Sequence, residues 1–68
     1  MRIRDLREDN NLTQKDISKL LCIKQNTYSQ YENGQRQIPI SSLIILAKFY
    51  KTSTDYILGL TDKRTPYN

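Results

Sequence analysis

Apolar residues recur along this chain at helical spacing, in groups separated by polar punctuation. Ile3 and Leu6, three apart in a charged segment, predict a first helix over about residues 2–9, broken by Asn10-Asn11. Ile17, Leu20 and Leu21 form the i, i+3, i+4 stripe of a second helix over about 14–21. Thr13 precedes it, with Asp16 three residues on, a capping box in which Asp replaces the more common Glu. Tyr28 and Tyr31 mark the apolar side of a third helix, running from Lys24 or Gln25 to Glu32 and stopped by Asn33-Gly34. After a polar loop at 34–38, Pro39 suits the start of a fourth helix over about 40–50. Leu43, Leu46, Ala47 and Tyr50 are its core stripe. Ser53 can cap a short fifth helix, with Asp55 at its positive end and Gly59 closing it. Residues 61–68 lack an apolar pattern and are expected to fray. No alternating strand pattern, repeat or linker is present, so the predicted fold is all-α with five helices.

The polar side of the third helix has an unusual chemistry. Gln25, Asn26, Ser29, Gln30 and Asn33 fall at i, i+1, i+4, i+5 and i+8, opposite the tyrosines. A solvated helix face is usually rich in Lys and Glu. This one carries amides and hydroxyls, groups that both donate and accept hydrogen bonds, as a base edge in the major groove requires. Taken alone, such a face also fits plain surface. Its context is more telling: a capped short helix, a tight turn and a second helix closed by Glu-Asn-Gly is the layout of a helix-turn-helix.

Composition sharpens the picture by exclusion. The 68 residues make one small domain, and an apolar content of 37% allows only an economical core. A net charge of +4 and a pI near 9.4 suit a polyanionic partner. No apolar run approaches the roughly 18 residues of a membrane span, and the start, MRIRDLRED, lacks a signal-peptide core; a cytoplasmic location is expected. Cys22 alone allows no internal disulfide, and the absence of histidine removes the common zinc sites and any histidine-based triad. Catalysis would need convergent titratable groups, and the Asp, Glu and Lys residues are scattered. Binding without metal or cofactor is expected, and no enzymatic activity.

The segment LTQKDISKLLCIKQNTYSQYENG resembles the Cro/CI-type (XRE-type) helix-turn-helix family of phage repressors and bacterial regulators. The likeness continues through IPISSLIILAKFYKTSTDYILGL, which is similar to helices four and five of that family, so that it covers about residues 2–60. It implies a five-helix, lambda-repressor-like DNA-binding domain over residues 1–60, with the helix-turn-helix at helices two and three. The implied function is sequence-specific binding of double-stranded DNA by a transcription regulator, expected to be a repressor that reads an inverted repeat as a homodimer. Two other readings compete. An antitoxin would use the same fold to bind a protein toxin and repress its own operon. An interaction module that had lost DNA binding would show acidic or apolar residues on the outer face of helix three, and these are absent.

The resemblance also implies roles for individual residues. It places Gln25, Asn26 and Gln30 at base-contacting positions, with Thr27 and Ser29 at the groove wall. Gln14 matches a phosphate-contacting position, where free backbone N–H groups and the positive helix end lie. Asn33 matches a second phosphate contact. Lys15, Lys24 and Arg36 are further phosphate candidates, although each also reads as an ordinary solvated cation. Arg7 and Glu32 match a pair that bridges helix one to the end of helix three and orients Arg7 toward a phosphate; desolvation would offset much of its Coulomb gain. Cys22 stands where the family most often has Gly, at a turn position that commonly needs φ > 0, at a cost of about 1 kcal/mol. A redox role for it lacks a resolving cysteine. Lys24 replaces the usual Ser or Thr cap of helix three. Finally, Ile45 and Phe49 form a second apolar stripe on helix four. They either cover helix one or five or join Ile57 and Leu60 in a dimer interface.

Overall fold

The computed structural model describes residues 1–63, and the helices form where the pattern predicts them: α1 (Ile3–Asp9), α2 (Gln14–Leu21), α3 (Gln25–Glu32), α4 (Ile40–Phe49) and α5 (Thr54–Leu58). Most of the segment expected to fray, residues 64–68, lies outside the described residues. The start signals act as read. Thr13 Oγ1 accepts from the Asp16 N–H (3.1 Å), and Asp16 Oδ2 accepts from the Thr13 N–H (2.9 Å), completing the capping box. Ser53 Oγ accepts from the Tyr56 N–H at 3.0 Å. Lys24 supplies no side-chain cap to α3.

All five of these helices close by one device. Asn11, Cys22, Gly34, Lys51 and Gly59, one after each helix, adopt left-handed φ values of 56°, 57°, 74°, 55° and 82°. The next residue's N–H then reaches back to the carbonyl five residues earlier: Leu12 to Arg7, Ile23 to Ser18, Gln35 to Gln30, Thr52 to Ala47 and Leu60 to Asp55. This is the Schellman pairing, which satisfies carbonyls that the last turn would otherwise orphan. It explains why Cys22 sits at φ > 0. It also places Lys51 there, which the sequence pattern did not signal.

The inward faces meet in one core. Ile3, Leu6, Ile17, Tyr28, Leu46 and Ile57 are almost wholly buried, joined by Leu21, Tyr31, Leu43, Ala47 and Tyr50. α2 packs on α3 and α4 on α5. The start of the chain also meets the segment around α5. The Arg2 N–H donates to the Ile57 carbonyl (2.8 Å), and its guanidinium stacks 4.2 Å over the Tyr56 ring while bonding the Thr61 carbonyl and Asp62. Residues 61 and 62 are thus tied down rather than free.

The first three helices converge on Glu32, whose side chain is fully buried. Arg7 of α1 donates to it through Nε (2.7 Å) and Nη2 (3.2 Å), and Gln14 of α2 through Nε2 (3.0 Å). Arg4 adds a longer contact of 3.5 Å. The Tyr28 hydroxyl faces the same carboxylate without a bond of good geometry, and burial pushes its phenol well above the usual range. Burial alone would raise the Glu32 pKa. The hydrogen bonds from Arg7 and Gln14, with the Tyr28 hydroxyl close by, outweigh that and bring it down to about 2 from an ordinary 4.5. The Arg7 guanidinium is raised in turn, chiefly by its hydrogen bonds to Glu32.

These features predict two stability outcomes. Lys51→Gly should raise stability by up to about 1 kcal/mol and Gly59→Ala should lower it by about as much, because open space surrounds the Cβ added at Gly59 and only backbone strain changes; chemical denaturation giving the reverse order would contradict the strain argument. For Glu32, a depressed carboxylate pKa means stability that is present above about pH 4.5 and lost as pH falls toward about 2. Glu32→Gln should therefore cost on the order of 3 kcal/mol near neutral pH, and the gap from the parent should close between about pH 5 and pH 2. A gap in urea unfolding that is the same at both ends of that range would show that ionisation of Glu32 is not what stabilises the junction.

Candidate nucleic-acid interface

α3 divides its residues sharply. Tyr28 and Tyr31 are inside, whereas Gln25, Asn26 and Asn33 are exposed and Thr27, Ser29 and Gln30 are half-buried. The amide and hydroxyl face therefore points outward over the full length of the helix. Packing of α2 on α3 brings Gln14 to this face, and Gln14, Gln25, Asn26 and Ser29 line one open groove. Gln14 is held there by its bond to Glu32. The N–H groups of Gln14 and Lys15, in the first turn of α2, lack acceptors within the helix and lie at its positive end.

Three cations lie within or beside α2 and α3 in sequence. Lys15 follows Gln14, Lys24 precedes α3, and Arg36 lies in the loop after it; all three are exposed. Arg36 falls outside both the groove and the Glu32 junction. Arg7 is turned inward: its side chain is 14% exposed, and Nη1 donates to the Leu12 carbonyl at 2.9 Å in addition to the two bonds to Glu32. Its geometry is that of a brace. Arg4 carries no expectation from the sequence. It stands one turn before Arg7 on α1, contacts Glu32 and donates to Asn33 Oδ1 at 3.0 Å. Its i, i+3 relation to Arg7 was the available sign.

Ile45 and Phe49 are 41% and 46% exposed and Leu60 is 74% exposed, so each keeps apolar surface open to solvent. Ile57 is a correction. It is fully buried, because the short α5 turns this residue into the core and its carbonyl pairs with the start of α1, and it has no side-chain surface for a partner. Ile40, Ile44 and Leu58 are also exposed apolar residues, which the periodicity left unassigned. Among the described residues there is no His, Cys, Asp and Glu cluster able to hold a metal, and no helix long and apolar enough to cross a membrane.

Comparison with known proteins agrees with this layout. The family described as helix-turn-helix matches residues 3–57. The chain is 40% identical to the uncharacterized HTH-type transcriptional regulator YobD of Bacillus subtilis, over 96% of this chain and 58% of that protein. It is 36% identical to the HTH-type transcriptional regulator ImmR of the same organism, over 85% of this chain and 46% of the relative. It is 37% identical to the cryptic phage CTXphi transcriptional repressor RstR of Vibrio cholerae, over 72% and 44%. The chain thus spans about half the length of the curated relatives it matches. No solved structure matches it significantly. With α2 and α3 packed as the motif requires and the family match running from α1 into α5, the chain belongs to the Cro/CI-type (XRE-type) helix-turn-helix family.

Proposed function

We propose that this chain is a sequence-specific, double-stranded DNA-binding domain of a transcription regulator, acting as a repressor and reading an inverted repeat as a homodimer. The observation that carries this reading is the outward amide and hydroxyl face of α3, set by the buried Glu32 junction against α1 and α2. Gln25, Asn26 and Gln30 are the base readers, since Gln and Asn can bridge adenine N6 and N7 in the major groove. Thr27 and Ser29 meet the groove wall. Gln14, Lys15, Lys24, Asn33, Arg36 and the first-turn amides of α2 take phosphates, which fix register and carry most of the salt dependence. Arg7 acts mainly by positioning Glu32.

The homodimer rests on two points. A single short reading helix makes too few contacts to define a unique genomic address. The protomer also leaves Ile45, Phe49 and Leu60 exposed, on α4 and after α5. A two-fold axis through such a surface gives an isologous contact and sets two α3 helices about one DNA turn, roughly 34 Å, apart.

Selection of bound duplexes from a random pool tests the proposal, and palindromic half-sites at that spacing are the expected product. Gln25→Ala or Asn26→Ala should relax preference at one or two base pairs per half-site, by about 1–3 kcal/mol each, and leave the fold intact. Lys15→Ala or Arg36→Ala should instead weaken selected and random DNA alike. Base profiles of the two α3 variants that match the parent would refute the reading roles. For assembly, sedimentation equilibrium with a palindromic duplex should give two protomers per duplex, weakened by Leu60→Asp; one protomer per duplex at saturation would rule out the dimer.

A further inference from the structure

The Glu32 junction holds more positive charge than it can neutralise. Two guanidiniums, from Arg4 and Arg7, meet one carboxylate. Arg7 takes both of its oxygens at 2.7 and 3.2 Å, Gln14 adds a neutral donor at 3.0 Å, and Arg4 is left with one contact at 3.5 Å. The Arg4 side chain is 52% exposed against 14% for Arg7, so the surplus charge sits on the outer arginine. Arg4 Nη2 also donates to Asn33 Oδ1 at 3.0 Å. That bond engages the only acceptor atom of the Asn33 amide and leaves the two hydrogens of Nδ2 directed away from Arg4. Asn33 is exposed and lies on the same face of α3 as Gln25, Asn26, Ser29 and Gln30, about 12 Å along the helix from Gln25.

We infer that Arg4 and Asn33 form a paired phosphate clamp at the far end of α3, in which Arg4 supplies the charge and sets the Asn33 amide to donate to the same DNA phosphodiester. A half-exposed cation beside an oriented NH2 group offers a phosphate both charge and directed hydrogen bonds. The inference rests on the DNA-binding reading above and adds Arg4 to it. A purely structural brace between α1 and α3 would need the contacts to Asn33 and Glu32 but would neutralise no DNA phosphate, and so would leave the salt dependence of binding unchanged.

The charge requirement makes the clamp testable. Fluorescence anisotropy with the selected duplex and a mixed-sequence duplex, over a range of salt, should give the parent a steep log–log slope. Arg4→Gln keeps a donor for Asn33 and removes the charge; the slope should fall by about 0.9 for each protomer bound, with weaker binding to both duplexes. Arg4→Lys keeps the charge; its slope should match the parent, with a loss of affinity of severalfold from the poorer hold on Asn33. Thermal unfolding checks that both variants are folded. An unchanged slope in Arg4→Gln, or an equal loss of slope in both variants, would overturn the clamp while the parent's binding stands. A parent that does not bind either duplex would refute the DNA reading itself.

Discussion

One buried carboxylate organises this domain. Glu32 ends α3, and its side chain is removed from water. A carboxylate in that setting is costly unless it is paired and hydrogen-bonded. Its donors come from two other helices, Arg7 on α1 and Gln14 on α2. The charge is therefore satisfied only when all three helices take their native places. Misplacing α3 would strand it. The same atoms that lower the Glu32 pKa fix the outward face of α3, so stability and presentation of the reading surface are one property here.

The second constraint is economy. In a chain of 68 residues, each helix is short and most of its stability must come from tertiary packing. The uniform Schellman closure serves this need. It turns the chain sharply at five points, satisfies the last carbonyls and uses few residues in loops. Three of those points use Asn11, Cys22 and Lys51 in place of glycine, at a cost of about 1 kcal/mol each for Cys22 and Lys51 and less for Asn11. Burial of apolar side chains such as Tyr28, Leu46 and Ile57 offsets a cost of that size.

Two sets of exposed side chains stand out on the molecule. The cations Lys15, Lys24, Arg36 and Arg4 belong to the elements around the α3 face. The exposed apolar residues Ile40, Ile44, Ile45, Phe49, Leu58 and Leu60 belong to α4, to α5 and to the turn after α5.

The sequence by itself determined the helices, their start signals and their inward faces. Those depend on residues within one or two turns of each other: Thr13 with Asp16, Ser53 with Tyr56, Leu43 with Leu46 and Ala47. The amide face of α3 was legible for the same reason, and the Arg7–Glu32 pair through resemblance to a family. The contacts of Arg4, signalled only by its i, i+3 relation to Arg7, went unread, and the bond from Gln14 to Glu32 and the burial of Ile57 were not legible. Arg4 meets Glu32 across 28 residues and Gln14 meets it across 18, and Ile57 is held by Arg2 from the opposite end of the chain. Periodicity says which side of a helix is apolar, but not which distant group will face it. Only tertiary packing decided that an isoleucine of the last helix would be core and that an unremarked arginine would stand beside the end of the reading helix.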